Sequence, residues 1–125
     1  MSTNMKDKEL KEWTARGSHV AGYWVAEVEG IVAGTVAYTI SGDMLEIHRL
    51  STDGSFRKLG LASLLVKKME STAREYGCSY IEAVASDIQI PAMKFYERMG
   101  YNMVAREPFF GNTDFSHIIT YKKSL

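Results

Sequence analysis

The sequence is sparing with several things. Its 125 residues include one cysteine, Cys78, so no disulfide can form within the chain, as in proteins of a reducing compartment. Lys and Arg number 15 and Asp and Glu 15, for a formal net charge of +0. No basic excess is available to neutralise a phosphate backbone, which excludes nucleic acid as an expected partner. No apolar run approaches the ~20 residues that span a bilayer, and residues 1–12 lack the apolar stretch of a secretory signal. A soluble, cytoplasmic protein with no membrane segment is expected. His19, His48 and His117 show no spacing typical of a metal site, so no metal is expected. The motifs G-x-x-x-x-G-K-[ST] and G-x-G-x-x-G are both absent, which excludes a P-loop nucleotide site and a dinucleotide site on a Rossmann fold.

What remains is an ordinary globular composition, 46% hydrophobic and 11% aromatic, with two prolines. A chain of this length buries roughly two thirds of the surface its unfolded form exposes, so residues 1–125 are expected to form one domain.

The pattern along the chain divides into two characters. Residues 4–16 place Met5, Leu10 and Trp13 at loosely helical spacing, with Gly17 as a stop, which predicts a short amphipathic helix. Tyr23 to Glu29 and Ile31 to Ile40 are rich in β-branched and aromatic residues and meet at Glu29-Gly30, which predicts an antiparallel hairpin. After the turn signal at 41–43, Met44 to Thr52 reads as a third strand. From Leu61 the apolar residues Leu61, Leu64, Leu65, Met69, Thr72, Ala73 and Tyr76 share one helical face, with Lys67, Glu70 and Arg74 on the other. Gly77 ends this helix, Tyr80 to Ala85 is a strand, and Pro91 opens a second helix closed by Gly100. Strands from Tyr101 and from His117 finish the chain. The order αβββαβαββ predicts an α/β (α+β) fold, a mixed and mostly antiparallel sheet with helices on its faces.

The stretch that carries chemistry is Arg57-Lys58-Leu59-Gly60-Leu61-Ala62, a loop running into a helix start. Successive backbone N–H groups there coincide with the positive end of the helix dipole, which suits an anion. Gly60 lets the backbone approach it, and Arg57 and Lys58 add charge. From these residues alone an ordinary loop and helix start reads equally well.

Together with AMKFYERMGY about thirty residues on, the run LEIHRLSTDGSFRKLGLASLLVKKME resembles the GNAT superfamily of acyl-CoA-dependent N-acetyltransferases. The match rests on R-x-x-G-x-A at Arg57 to Ala62 and on Phe95-Tyr96-Glu97-Arg98-Met99-Gly100-Tyr101, in the order and spacing of that family. RGS, YWVAEVEG, GTVA, HRLSTD and AMKFY are most similar to the camello-like acetyltransferases. The resemblance implies a GNAT-like sheet lacking the first strand and first helix, because the opening helix here corresponds to the second helix of that fold. Tyr23 to Glu29 would then be a bare edge strand, from which a homodimer or a sheet completed by a partner is expected. The membrane-associated segment usual in camello-like relatives has no counterpart in the chain.

The resemblance also implies an activity, the transfer of acetyl from acetyl-CoA to a primary amine on a small molecule, an amino acid or a peptide. It gives each residue a role. The third strand would splay near Leu50, freeing backbone groups of Leu50 and Thr52 for acetyl-CoA, with the Leu50 N–H stabilising the oxyanion. Lys58, Leu59, Gly60, Leu61, Ala62 and Ser63 would hold the pyrophosphate beside Arg57. Gln89, where many family members carry Asn, would contact acetyl-CoA from the start of the later helix. Tyr96 would be the general acid for the departing thiolate. A phenol (~10) titrates slightly above a thiol (~8.5), so it stays protonated at neutral pH. Flanked by Phe95 and Tyr101, Tyr96 can also be read as a plain core aromatic.

The base that deprotonates the amine is open. Strand alternation puts Glu46, His48 and Leu50 on one face. Glu46 sits where family members carry a catalytic carboxylate, and His48 is the residue type that exchanges protons near neutrality. Both could instead be plain cross-strand partners. Cys78 reads as a buried thiol, and Phe109-Phe110-Gly111 as either an acceptor-pocket loop or a packing loop. The competing function is a CoA-binding or acyl-CoA-binding module, or a partner-dependent fragment, with little catalytic activity.

Overall fold

The computed structural model describes residues 3–6, 19–54, 60–87, 90–109 and 116–125. Seven strands form one sheet in the order β1-β2-β3-β4-β5-β7-β6. They are β1 (Thr3–Lys6), β2 (His19–Val28), β3 (Ile31–Ser41), β4 (Met44–Thr52), β5 (Tyr80–Ser86), β6 (Asn102–Phe109) and β7 (Ser116–Ser124). Helix α1 (Leu61–Glu75) joins β4 to β5, and α2 (Ile90–Arg98) lies between β5 and β6. β4 and β5 pair in parallel and every other pair is antiparallel. The mixed, mostly antiparallel sheet agrees with the expected class.

The β2–β3 hairpin closes through Glu29 (φ 52) and Gly30 (φ 81), the pair of positive φ values whose twist matches that of the strands they connect. Alternate residues of the central strands, Val36, Tyr38 and Ile40 with Leu45 and Ile47, then point to one face and are buried. The same face continues through Ile81, Ala83, Ile119 and Tyr121. Both helices cover it. Tyr96 of α2 stacks on Tyr121 with ring centroids 5.6 Å apart, and Glu70 of α1 reaches Lys123, two residues beyond Tyr121, at 3.2 Å. Among the described residues the opposite face carries no helix.

The chain start differs from expectation. In place of a helix from residue 4, Thr3–Lys6 forms β1, which pairs with Val25 to Val28 of β2. An opening strand is therefore present, and the element order begins with it. The physical reason is that β2 offers free backbone donors and acceptors along its outer side. A short polar segment can satisfy them whatever its own propensity. Over Val25 to Val28 the predicted bare edge is occupied, which removes that part of the argument for a second chain. The rest of the expected helix, residues 7–16, lies outside the described residues.

A second departure concerns α1. Glu70 was expected on the polar face, yet it is 6% exposed. It lies four residues after buried Val66 and three before buried Ala73, so helical geometry carries it into the core stripe.

Candidate active site

Parallel pairing of β4 with β5 runs through four registers and stops at Ile47 opposite Ala83. β4 continues to Thr52 against β3, and β5 continues to Ser86 against β7. Beyond Ile47 and Ala83 the two strands therefore part, and each is left without a ladder partner on its inner side among the described residues. A cleft of about 840 Å³ fills the gap. It is bordered by Leu50 and Thr52 of β4, Val84 and Ala85 of β5, and Ala92 and Tyr96 of α2.

A bulge shapes the β4 wall. Register with β3 shifts between Thr35 and Ala37, so that Arg49 and Leu50 together oppose Val36. Arg49 adopts φ 48, the left-handed conformation found at the first position of one bulge type. The inserted residue inverts the alternation. Leu45 and Ile47 are buried before it, and Leu50 and Thr52 are the better-buried positions after it. Leu50 and Thr52 thus join Ile47 on the cleft face, whereas Glu46 and His48 project from the opposite face. The expectation that Glu46, His48 and Leu50 share a face is corrected by this one residue. On their own face, His48 Nε2 is 2.9 Å from Thr39 Oγ1 and 3.7 Å from Glu46 Oε1.

A smaller cavity of about 180 Å³ adjoins the cleft and is lined by Gly60, Leu61, Ala62 and Ser63 at the start of α1, with Thr52, Phe95 and Arg98. Gly60 precedes the helix at φ 71, in the left-handed region that glycine tolerates without strain. The helix start has no side-chain cap, and its first turn holds no acid. Its unsatisfied N–H groups and positive dipole end are left for an anion. Arg57, Lys58, Leu59 and Gln89 lie outside the described residues, as do Phe110, Gly111 and the Phe109 side chain.

Tyr96 is the one residue that α2 buries. Its ring is bracketed by Phe95 at 5.4 Å, Tyr101 at 5.7 Å and Tyr121 at 5.6 Å. Burial pushes its phenol up to about 12, because a phenolate loses hydration in an apolar surround. The group is therefore protonated throughout the physiological range, and Tyr96 borders the cleft.

The sequence reading missed Arg49 and Arg98, which bring positive charge to the cleft. Arg98 sits inside the second motif and borders both cavities. A basic residue one turn beyond Lys94 on the exposed face of a helix gives no signal of its own. At the far end of β5, Asp87 accepts hydrogen bonds from the His117 backbone N–H at 3.0 Å and from Arg106 Nη2 at 3.1 Å. His117 Nδ1 lies 3.2 Å from the same carboxylate. Cys78 is buried, with its thiol pushed up chiefly by that burial.

Residues 2–101 match the family model described as acetyltransferase (GNAT) family. The chain belongs to the acetyltransferase (GNAT) family. Human N-acetyltransferase 8 is 30% identical over 115 residues, which are 87% of this chain and 49% of that protein. A Xenopus tropicalis protein assigned as the N-acetyltransferase camello is 33% identical over 87 residues, 67% of this chain and 40% of that one. The chain thus spans less than half the length of these curated GNAT relatives. Among solved structures, a Bacillus anthracis protein assigned as a streptothricin acetyltransferase, in complex with acetyl coenzyme A, superposes with a TM-score of 0.80. The match has 16% identity and covers 95% of this chain and 69% of that one, a likeness of fold. Among the described residues no helix is long and apolar enough to cross a membrane, and no group of three or more His, Cys, Asp or Glu could hold a metal ion.

Proposed function

We propose that the chain transfers an acetyl group from acetyl-CoA to a primary amine by direct attack in a ternary complex. The observation that carries this reading is the parting of β4 from β5 after Ile47, with the Tyr96 phenol bordering the cleft so formed. When bound, acetyl-CoA supplies the acyl group as an activated thioester.

The residues present fit such a cosubstrate. Strand edges released beyond Ile47 and Ala83 offer backbone donors and acceptors to an extended amide-bearing chain, as an added strand would. The uncapped start of α1 at Gly60, Leu61, Ala62 and Ser63 suits phosphate. Arg57, Lys58 and Leu59 belong to the same motif, Gln89 belongs to the start of α2, and Arg98 adds charge across the smaller cavity.

Four residues carry the chemistry in this reading. The Leu50 N–H stabilises the developing oxyanion, with the bulge at Arg49 bringing Leu50 to the cleft side of β4. Glu46 accepts the proton of the incoming ammonium, directly or through water, with His48 beside it. Tyr96, protonated at neutral pH, donates its proton to the leaving sulfur. Small amines, amino acids and lysine peptides are the candidate acceptors.

The test is thiol release from acetyl-CoA across a panel of those amines, with calorimetry of CoA binding alongside. Amine-dependent release is expected. CoA binding without release for any amine would favour a CoA-binding module or a partner-dependent fragment, and absence of both would overturn the reading.

A further inference from the structure

Among the described residues Glu70 is the charged side chain taken into the core, and transfer chemistry has no direct use for it. A buried carboxylate is retained at a cost unless it is paired and hydrogen-bonded. Its partners here are specific. Glu70 Oε2 accepts the Tyr101 hydroxyl at 2.9 Å and Lys123 Nζ at 3.2 Å. Lys123 Nζ also donates to the Met99 carbonyl at 3.0 Å and lies 5.5 Å from the Tyr101 ring centroid. Met99 and Tyr101 lie just past the C-terminal end of α2, three and five residues after Tyr96.

That end is closed by a Schellman motif, in which Tyr101 N–H donates to the Tyr96 carbonyl at 3.0 Å and Gly100 N–H to the Glu97 carbonyl at 3.1 Å. Gly100 takes φ 90 to allow it. In this motif the residue two beyond the cap contacts the residue third from the helix end. Here those residues are Tyr101 and Tyr96, ring against ring at 5.7 Å. Tyr96 is the one buried residue of α2, with Ala92, Met93 and Phe95 partly buried against the core. The directional bonds at the C-terminus of the helix add to that packing in setting how the Tyr96 ring is held.

We propose that Glu70, acting through Tyr101 and Lys123, is a positioning residue for acetyl transfer that fixes the approach of the Tyr96 phenol to the cleft. The proposal rests on the reading of Tyr96 as the proton donor. An apolar side chain at position 70 fills the same volume and removes the cost of burying a charge. It also leaves the buried Tyr101 hydroxyl and the Lys123 ammonium without their anchor, which costs stability, so turnover is read on protein that is folded at the assay temperature.

The experiment compares wild type with Glu70→Leu, Glu70→Gln, Tyr101→Phe and Tyr96→Phe. Each is read by kcat, by KM for acetyl-CoA, by melting temperature, and by NMR of ring-¹³C-labelled tyrosine, with the Tyr96 signal assigned by its loss in Tyr96→Phe. Glu70→Leu is expected to melt several degrees or more below wild type, to stay folded at the assay temperature, and to keep its KM within about twofold. Its kcat falls by about 10- to 100-fold, the scale of a misplacement of roughly 1 Å, and its Tyr96 signal shifts. Glu70→Gln, whose amide oxygen still accepts from Tyr101, recovers part of kcat. Wild-type kcat and an unmoved Tyr96 signal in Glu70→Leu would overturn the proposal, as would a kcat loss matched by lost folded protein. If Glu70→Leu does not fold, Tyr101→Phe decides on the same readouts. Should Tyr96→Phe retain wild-type kcat, the donor reading fails on its own. The Tyr96 signal then decides positioning, with an unmoved signal overturning it.

Discussion

Ile47 of β4 and Ala83 of β5 face each other across the last rung of the parallel ladder, and the cleft begins where they stop. Everything proposed for donor binding depends on that opening staying free.

Filling it is therefore a direct check. Ala92 is a half-buried cleft residue on α2, and Ala92→Trp places an indole in the gap with little change to the core. In wild type, CoA at a hundredfold excess over its Kd should raise the melting temperature by roughly 10 °C. In Ala92→Trp that rise should vanish while the ligand-free melting temperature moves by only a few degrees, as thermal-shift measurements with and without CoA will show.

Tyr96→Phe should lower turnover by about 100-fold, the usual scale for loss of a general acid, with calorimetric CoA affinity unchanged. The phenol also makes a stability statement. Its value is about 12 in the folded protein against ~10 when unfolded. Between those values the unfolded chain binds fewer protons, so stability present below pH ~10 is lost as pH rises toward 12. The loss attributable to Tyr96 is on the order of 2 to 3 kcal/mol. Denaturant titrations from pH 9 to 12 should show a shallower decline in Tyr96→Phe. Tyr101, also pushed up by burial and by Glu70, continues to contribute.

Glu46 and His48 stand on one face, with Thr39 Oγ1 engaging His48 Nε2, and the proposed transfer takes Glu46 as the base. Glu46→Gln should reduce kcat by about 100-fold at neutral pH, and His48→Gln by less than about 10-fold. Steady-state kinetics with a fixed amine will tell them apart, and the reverse ranking would assign the base to His48.

Asp87 stabilises the fold above the ordinary carboxylate range. Its carboxyl is held low, first by the His117 backbone N–H and then by the His117 side chain and Arg106. A group depressed in the folded state contributes stability that is present above its unfolded value, ~3.9, and lost as pH falls through the folded value. Asp87→Asn should therefore lower the melting temperature in the neutral region and change it little in acid, so that the acid limb of the profile below about pH 4 is flatter.

Much of the architecture was legible because side-chain patterns and turn residues agreed. β4 ran from Met44 to Thr52 as read, and β3, α1 and β5 began at Ile31, Leu61 and Tyr80. Alternating β-branched residues end there at Gly and Asp, and the α1 stripe starts after Gly60. β1 was missed because Thr-Asn-Met-Lys has no strand pattern of its own and forms on backbone pairing with β2. The face of Leu50 was misjudged because the bulge is a backbone device, carried by Arg49 rather than by the glycine that would have marked it. Glu70 was missed because its charge argued for solvent while its spacing from Val66 and Ala73 argued for the core. Its partner Lys123 lies 53 residues further on, beyond the reach of any local pattern.

The bulge at Arg49 has a consequence for traffic. Upstream of it β4 presents Glu46 and His48 to the face that carries no helix among the described residues, and downstream it presents Leu50 and Thr52 to the face beneath the helices. Val84, exposed on the former face, still borders the cleft. In the proposed transfer, a gap bordered by residues of both faces lets donor and acceptor be held together, so that neither substrate has to leave before the other arrives and a single strand addresses both.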